Sequence, residues 1–269
     1  MNAKASGAAR LAAIAARGHQ AVAELRSGAD AVDRWLRYEG PGLLDLGTTP
    51  ERVRRELMVD VDRLAGWLQI HRLVLGRVGD MIRQARRTRR GKPVRVLDVG
   101  AGTGGFLFRL EDWAHRQRIP VELQGVEVDE RTLHAAQRQA DEEGRRVRFV
   151  RGDARDLDGV ADGSVDVAVS SFVLHHLDPG DAACVLAELD RVAAVNFLVF
   201  DLRRNLASVP ALWALVRLAR FGAPTRHDAM TSLRKGYTEK EVLALLAAAD
   251  VPHHAVSALP PAFVVASRA

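Results

Sequence analysis

VRVLDVGAGTGGF, residues 94–106, reads as a strand that breaks into a glycine turn and restarts as a helix. Val94, Val96, Leu97 and Val99 make a short apolar run with β-branched enrichment, and FLFRLEDWAHRQ from Phe106 onward has helical character. Gly100, Gly102 and Gly104 permit positive φ and leave bare main chain that a ligand can approach. Asp98, two residues before the first glycine, puts a carboxylate at the carboxyl end of the strand, where it can hold a cationic or amide-bearing group. Gly100, Gly102 and Gly105 also satisfy G-x-G-x-x-G, so the turn alone does not separate dinucleotide binding from other ligands.

Strand and helix patterns alternate after this unit. Strands are expected at Val94–Val99, Val121–Val128, Val147–Val150, Val165–Ser170 and Val195–Asp201, with helices at Thr103–Arg118, Glu130–Glu143 and Pro179–Val192. Such alternation predicts a parallel sheet covered by helices on both faces. The C-terminal part departs from the repeat. Leu206–Phe221 reads as an apolar helix and Thr238–Ala249 as a helix opened by a capping box, Thr238 with Glu241. Two short strands follow, His253–Ala258 and Phe263–Ser267, joined through Leu259-Pro260-Pro261, which adds an antiparallel hairpin at one sheet edge.

Upstream, residues 1–90 read as an all-helical extension and residues 91–269 as the α/β domain, with a helical insertion at about 206–235. An Ala-rich helix is expected at 4–26, weakened by Gly18, and a second piece at Ala29–Tyr38. EGPGLLDLGTTP is a loop, and one long helix is expected from Pro50 to Arg87, with Val53, Leu57, Val61, Leu64, Leu68, His71 and Leu75 near helical spacing. Its basic end, RQARRTRRGK, complements the helix dipole and reads first as a solvated helix end, second as an RNA contact.

The 269-residue chain is 48% hydrophobic and 27% charged, ordinary for a globular protein able to bury a sizeable core. Its formal charge of +5, from 39 Lys and Arg against 34 Asp and Glu, is a modest excess and reflects an Arg- and Ala-rich usage before it marks a nucleic-acid partner. The single cysteine, Cys184, excludes a disulfide within the chain, fits a cytoplasmic location, and reads as buried packing. No apolar run approaches the roughly 20 residues needed to span a bilayer. The acid-free residues 1–23 read as an amphipathic helix of the mature chain rather than a transit peptide.

The other strand ends carry the chemistry. Glu127, at the end of the second strand, can accept hydrogen bonds from the vicinal hydroxyls of a ribose, while Asp129 is placed to cap the next helix. Asp153, after the third strand, can accept from an exocyclic amine such as that of adenine. Asp98, Glu127 and Asp153 along one edge suit a ligand with an amino group, a ribose and an adenine, and suit a pyrophosphate poorly. After the fourth strand, His175 and His176 reach the same edge. Adjacent histidines lack metal-ligand spacing, so no metal is expected, and an imidazole suits a general base at neutral pH. Asp201, Arg203, Arg226 and His227 are candidates for lining an acceptor pocket.

LDVGAGTGG, GVEVD, RGDARDL, VDVAVSSFVLHHL and the closing hairpin together resemble the class I S-adenosylmethionine-dependent methyltransferases, over Val94 to Ala269. The resemblance implies a Rossmann-like α/β fold, with a seven-stranded sheet whose last strand is reversed. It implies that Asp98, Gly100, Ala101, Gly102, Thr103 and Gly104 hold the methionine end of S-adenosyl-L-methionine. Glu127 and Val128 would take the ribose, Asp153 and Ala154 the adenine, with Ser170 and Phe172 adjoining. The LHHL segment is similar to that of quinone and other small-molecule methyltransferases, and His175 to the general base of aromatic O-methyltransferases, with His176 as its supporting partner. Thr225-Arg-His-Asp with Tyr237-Thr-Glu-Lys-Glu resembles bacterial members acting on polyketide-type natural products. The expected activity is O-methylation of a phenolic or enolic small molecule under a lid of N-terminal helices and the insertion. RNA methylation and non-catalytic cofactor binding are the alternatives, and an NAD oxidoreductase ranks behind them. The apolar N-terminal helices also offer a face to a second copy in a homodimer.

Overall fold

In a computed structural model of the chain, the described residues are 2–43, 46, 48–67, 69–89, 91–252, 254–259 and 263–268. Four helices precede the first strand: α1 (Asn2–Ser27), α2 (Ala31–Leu36), α3 (Glu51–Trp67) and α4 (Ile70–Arg89). The alternating part runs β1 (Val94–Val99), α5 (Gly105–Gln117), β2 (Val121–Glu127), α6 (Glu130–Glu142), β3 (Val147–Arg151), β4 (Val165–Ser171), α7 (Pro179–Val192) and β5 (Ala193–Leu202). It is followed by α8 (Ser208–Leu218), α9 (Ala223–Lys235), α10 (Glu239–Ala248), β6 (His254–Leu259) and β7 (Phe263–Arg268). A 3₁₀ turn at Leu174–His176 follows β4.

The seven strands lie in the order β3-β2-β1-β4-β5-β7-β6. The first five pair in parallel, and β7 runs antiparallel to both β5 and β6. The chain reverses its winding between β1 and β4, and the crevice at the carboxyl ends of those strands is where open α/β sheets take their ligands. The expected hairpin is therefore present, with its second strand next to β5. His253, Pro260 and Pro261 lie outside the described residues.

Two apolar cores flank the sheet. Ile14 and Val22 of α1, Leu186 and Leu189 of α7 and Leu245 and Leu246 of α10 pack with Leu97 and Val99 on one face. Val78 and Ile82 of α4, Leu107 and Leu110 of α5 and Ala136 and Ala140 of α6 pack with Val94 and Val96 on the other. Residues 1–90 thus share both cores with the rest of the chain: α1 and α4 are layers of the fold. α2 and α3 also contact the insertion: Arg234 of α9 donates to the carbonyls of Trp35 and Leu36, and Thr225 of α9 to Asp60 of α3.

Gly18 acquires a reason in the structure. A Cβ on it would meet the Pro179 carbonyl oxygen at 2.6 Å, and one on Gly180 would meet the His19 ring at 2.2 Å. The weak point of an isolated helix is the point where α1 approaches α7 most closely. The expected single helix from Pro50 to Arg87 is two helices, broken where Gln69 takes φ +53°. Leu68, placed on its apolar face, lies outside the described residues. The insertion is also a helix pair: Arg220 at φ +57° ends the first, and Gly222 with Pro224 opens the second, which the sequence pattern did not signal.

Candidate functional site

The five parallel strands bring Asp98, Glu127, Asp153, His175 and Asp201 to one edge of the sheet, because each lies at or just past a carboxyl end. Asp98 pairs with Gly125 of β2 and Val169 of β4, at the centre of the sheet. The turn after it takes φ of +77° at Gly100, +55° at Gly102 and +80° at Gly104. The amides of Gly100 and Ala101 both donate to the Val126 carbonyl, at 2.9 and 3.0 Å, which ties the turn to β2. A Cβ on Gly100 would collide with Val173 at 2.4 Å, whereas one on Gly102 would meet nothing within 4 Å. The turn is thus closed against the β4 loop at its first glycine and open at its second. Thr103 beside it is exposed and Ala101 is buried.

Asp98 is 3% exposed. Burial, with the nearby charge of Glu127, pushes its pKa up to about 7. A carboxylate so placed gains most from a cationic ligand group. Glu127 turns back onto the glycine turn: one oxygen accepts from Gly102 N at 2.9 Å, the other from Val128 N and Asp129 N at 3.0 Å each. Val128 is exposed beside it. Asp129 caps α6 through Thr132 N at 2.8 Å, as expected. Asp153 is engaged by the guanidinium and amide of Arg155, whose hydrogen bonds hold its carboxyl below the usual carboxylate range. Arg155 also reaches Asp181 at 3.0 Å, so the Asp153-Ala154 loop is clamped to the start of α7.

The β4 end holds the histidines. His175 is 4% exposed, and its Nδ1 lies 2.7 Å from Oδ1 of Asp201. Asp201 also accepts from Leu174 N and Leu202 N, at 2.7 Å each. Burial lowers the His175 pKa, helped by the charge of His176 and by Lys235, against the opposing pull of Asp201. The ring of the exposed His176 lies alongside at 4.0 Å between centroids.

Several expected roles change. The group that hydrogen-bonds Nδ1 of His175 is Asp201, while His176 packs against its ring. Asp201, expected in the acceptor pocket, is 2% exposed and spends its carboxylate on three N–H donors. Ser170 is buried and donates to the Val99 carbonyl at 3.0 Å, joining β4 to β1 rather than facing a ligand. Phe172 adopts φ +60° and packs edge-on against Phe200 and Phe263, between β5 and the hairpin. Arg203 pairs with Glu239 at 3.3 Å, Arg226 donates to the Phe221 carbonyl at 2.7 Å, and His227 is exposed on α9. Arg203 and Arg226 therefore face different partners.

The largest feature missed is a buried ionic knot. Arg204, 1% exposed at its side chain, donates to Glu241 at 2.9 Å, to the Gly236 carbonyl at 2.5 Å and to Asp33 at 3.2 Å. Arg26 of α1 meets the same Glu241 at 2.8 Å. Only the Thr238–Glu241 capping box, present as expected, hinted at it. Nothing in a run of two arginines shows which one turns inward.

Comparison with known proteins bears on this geometry. Residues 96–196 match a protein family described as a methyltransferase domain. Among solved structures, the plantazolicin methyltransferase BpumL in complex with SAH superposes with a TM-score of 0.59, at 12% identity over 88% of this chain and 94% of that one. The plantazolicin methyltransferase BamL gives 0.58, at 12% identity over 94% and 95%. A SAM-dependent methyltransferase from Aquifex aeolicus gives 0.47, at 21% identity over 65% and 80%. The comparison with curated proteins found no match. The strand order, the glycine turn and the matched segment define a class I methyltransferase domain. Residues 96–196 thus carry a methyltransferase domain, and S-adenosylmethionine is the cofactor it uses. The site fits that cofactor: among the described residues no cation pairs with the buried Asp98, which stands below a turn with open space over Gly102. Among the described residues, no helix is long and apolar enough to cross a membrane.

Proposed function

We propose that the enzyme methylates a hydroxyl group of a small-molecule acceptor, a phenol or enol of the natural-product type, with His175 as the general base. The observation that carries this reading is the His175–Asp201 pair. A carboxylate at Nδ1 selects the tautomer with the proton on Nδ1, which leaves the Nε2 lone pair to receive a proton. The lowered pKa keeps that imidazole neutral near pH 7.

S-adenosylmethionine supplies an electrophilic methyl group with a neutral thioether as its leaving group. Asp98 would hold the ammonium of the methionine end, Glu127 the ribose hydroxyls beside exposed Val128, and Asp153 with Ala154 the adenine edge. Bare main chain at Gly102 lets the ligand approach closely. His175 takes the proton of the acceptor hydroxyl as the oxygen attacks. Holding the reactants in line and excluding water supplies the rest of the acceleration. The two histidine-bearing and glycine-bearing loops touch through Val173 and Gly100, which supports their acting on one ligand pair.

A nucleic-acid acceptor has less support. In the basic end of α4, Arg83 pairs with Asp80 and stacks on Trp113, while Arg89 is bound to Asp166 and the Pro93 carbonyl. The test is methyl transfer from labelled cofactor to a panel of phenols, enols, amines and RNA. O-methylated product is expected, with turnover lost in His175→Ala and cofactor affinity retained. Undiminished turnover of that variant, or exclusive methylation of nitrogen or RNA, overturns the reading.

A further inference from the structure

We propose that α8 is a docking element for the surface of an anionic lipid bilayer. Helices of globular proteins turn their apolar arc inward. This one buries Val216 and half-buries Val209, Leu212 and Leu215 on its inner side, and carries a second apolar arc facing out. At 100° per residue, Pro210, Ala211, Trp213, Ala214, Arg217 and Leu218 fall within an arc of about 160°. All but the half-buried Ala214 are exposed, Trp213 at 50% and Leu218 at 83%, and the exposed Leu206 and Ala207 precede the helix. Only Ser208 and Val216 of the helix are buried.

The charge around that arc selects the occupant. From Leu202 to His227 the chain carries no acidic residue, and of its five arginines Arg203 and Arg204 are paired with Glu239 and Glu241, Arg226 donates to a carbonyl, and Arg217 and Arg220 remain exposed. Arg217 lies within the arc, stacked over Trp213 at 4.6 Å, and Arg220 is exposed at its margin. An apolar face carrying Trp and Leu with a basic margin is the pattern of a helix lying in the headgroup region, and 11 residues are too few to span. Two copies joined through this face would bring the same arginines together, whereas anionic headgroups neutralise them.

The placement gives the contact a purpose. α8 follows β5, the strand that carries Asp201, after a loop over residues 203–207, and packs on α9, which in turn packs on the 3₁₀ turn carrying His175. Docking through α8 sets the site edge of the sheet beside the bilayer. The surface is defined without reference to the methyl-transfer chemistry, and its test uses neither cofactor nor acceptor.

The experiment is co-sedimentation of the full chain with vesicles of phosphatidylcholine alone or of equal parts phosphatidylcholine and phosphatidylglycerol. Binding to the anionic vesicles is expected to be at least about tenfold stronger, from about fivefold per exposed arginine. The W213E/L218E double variant should lose binding by more than tenfold with its circular dichroism and Tm unchanged. R217Q/R220Q should remove the anionic preference. Absence of wild-type binding to anionic vesicles, or equal binding by W213E/L218E, overturns the proposal. So does a dimer in sedimentation equilibrium that the same substitutions dissociate while vesicle binding is absent.

Discussion

Oδ1 of Asp201 stands 2.7 Å from Nδ1 of His175, and both side chains are closed to solvent. Asp201 ends β5 and His175 follows β4, so sheet pairing rather than chain proximity sets the contact. Replacing His175 with Ala should lower kcat by about 10²–10⁴. Asp201→Asn should lower it too and shift its pH profile, because the amide stabilises the protonated ring less. Calorimetry should find cofactor affinity in H175A within about twofold of wild type.

The His175 pKa, lowered chiefly by burial, also has a consequence for stability. The unfolded chain binds this proton at about pH 6.5, the folded chain only at lower pH. The stabilisation tied to neutral His175 is therefore complete above pH 6.5 and lost as pH falls through the folded value. H175Q should flatten that acid limb of Tm against pH.

Asp98 works in the opposite sense. Its folded pKa of about 7 lies above that of an unfolded Asp. Its contribution is whole below about pH 4 and lost as pH rises through about 7. Without cofactor, Tm should therefore fall between pH 5 and 8 relative to D98N. Binding of the cationic cofactor ionises the group, so near pH 7 it should release about half a proton. Calorimetry in buffers of different ionisation enthalpy measures that release.

Two glycines of the turn should respond differently to alanine. Gly100→Ala forces a Cβ to within 2.4 Å of Val173 and should lower Tm and cofactor binding together. Gly102→Ala meets no atom within 4 Å, so its cost to stability is the left-handed backbone alone, about 1–2 kcal/mol. Its methyl group points into open space over the turn, and cofactor affinity should fall by more than that cost implies. Thermal melts and titrations of both variants separate the two effects.

Removing one member of the Arg204–Glu241 pair leaves the other buried without its counter-charge. Arg204→Met or Glu241→Gln should destabilise the fold by about 3–5 kcal/mol, read by urea denaturation. Burial would raise the Glu241 pKa, but Arg204, the Thr238 amide and Arg26 together outweigh it and hold it down. Its stabilisation is therefore present above the usual carboxylate range and lost as pH falls through its folded value.

The local patterns were legible because they depend on neighbours along the chain. The βαβ alternation, the glycine turn, the caps at Asp129 and Thr238 and the hairpin all follow from hydrophobic period and short-range hydrogen bonding. Strand ends in a parallel sheet share one edge, so Asp98, Glu127, Asp153 and the histidines could be grouped from sequence. The resemblance to methyltransferases rested on the same motifs.

What the linear order left undecided is which polar group faces which. Asp201 was a pocket candidate until β4–β5 pairing carried it to His175, and Ser170 until it met Val99. Gly18 looked like a weakness until α7 came against it, and Arg204 was one arginine among many until Glu241 closed over it. The break at Gln69 and the second insertion helix were equally hidden. These features rest on contacts between residues far apart in sequence, whose gain is desolvation and close packing. Such terms exist only once the elements have docked, so only the tertiary structure decided them.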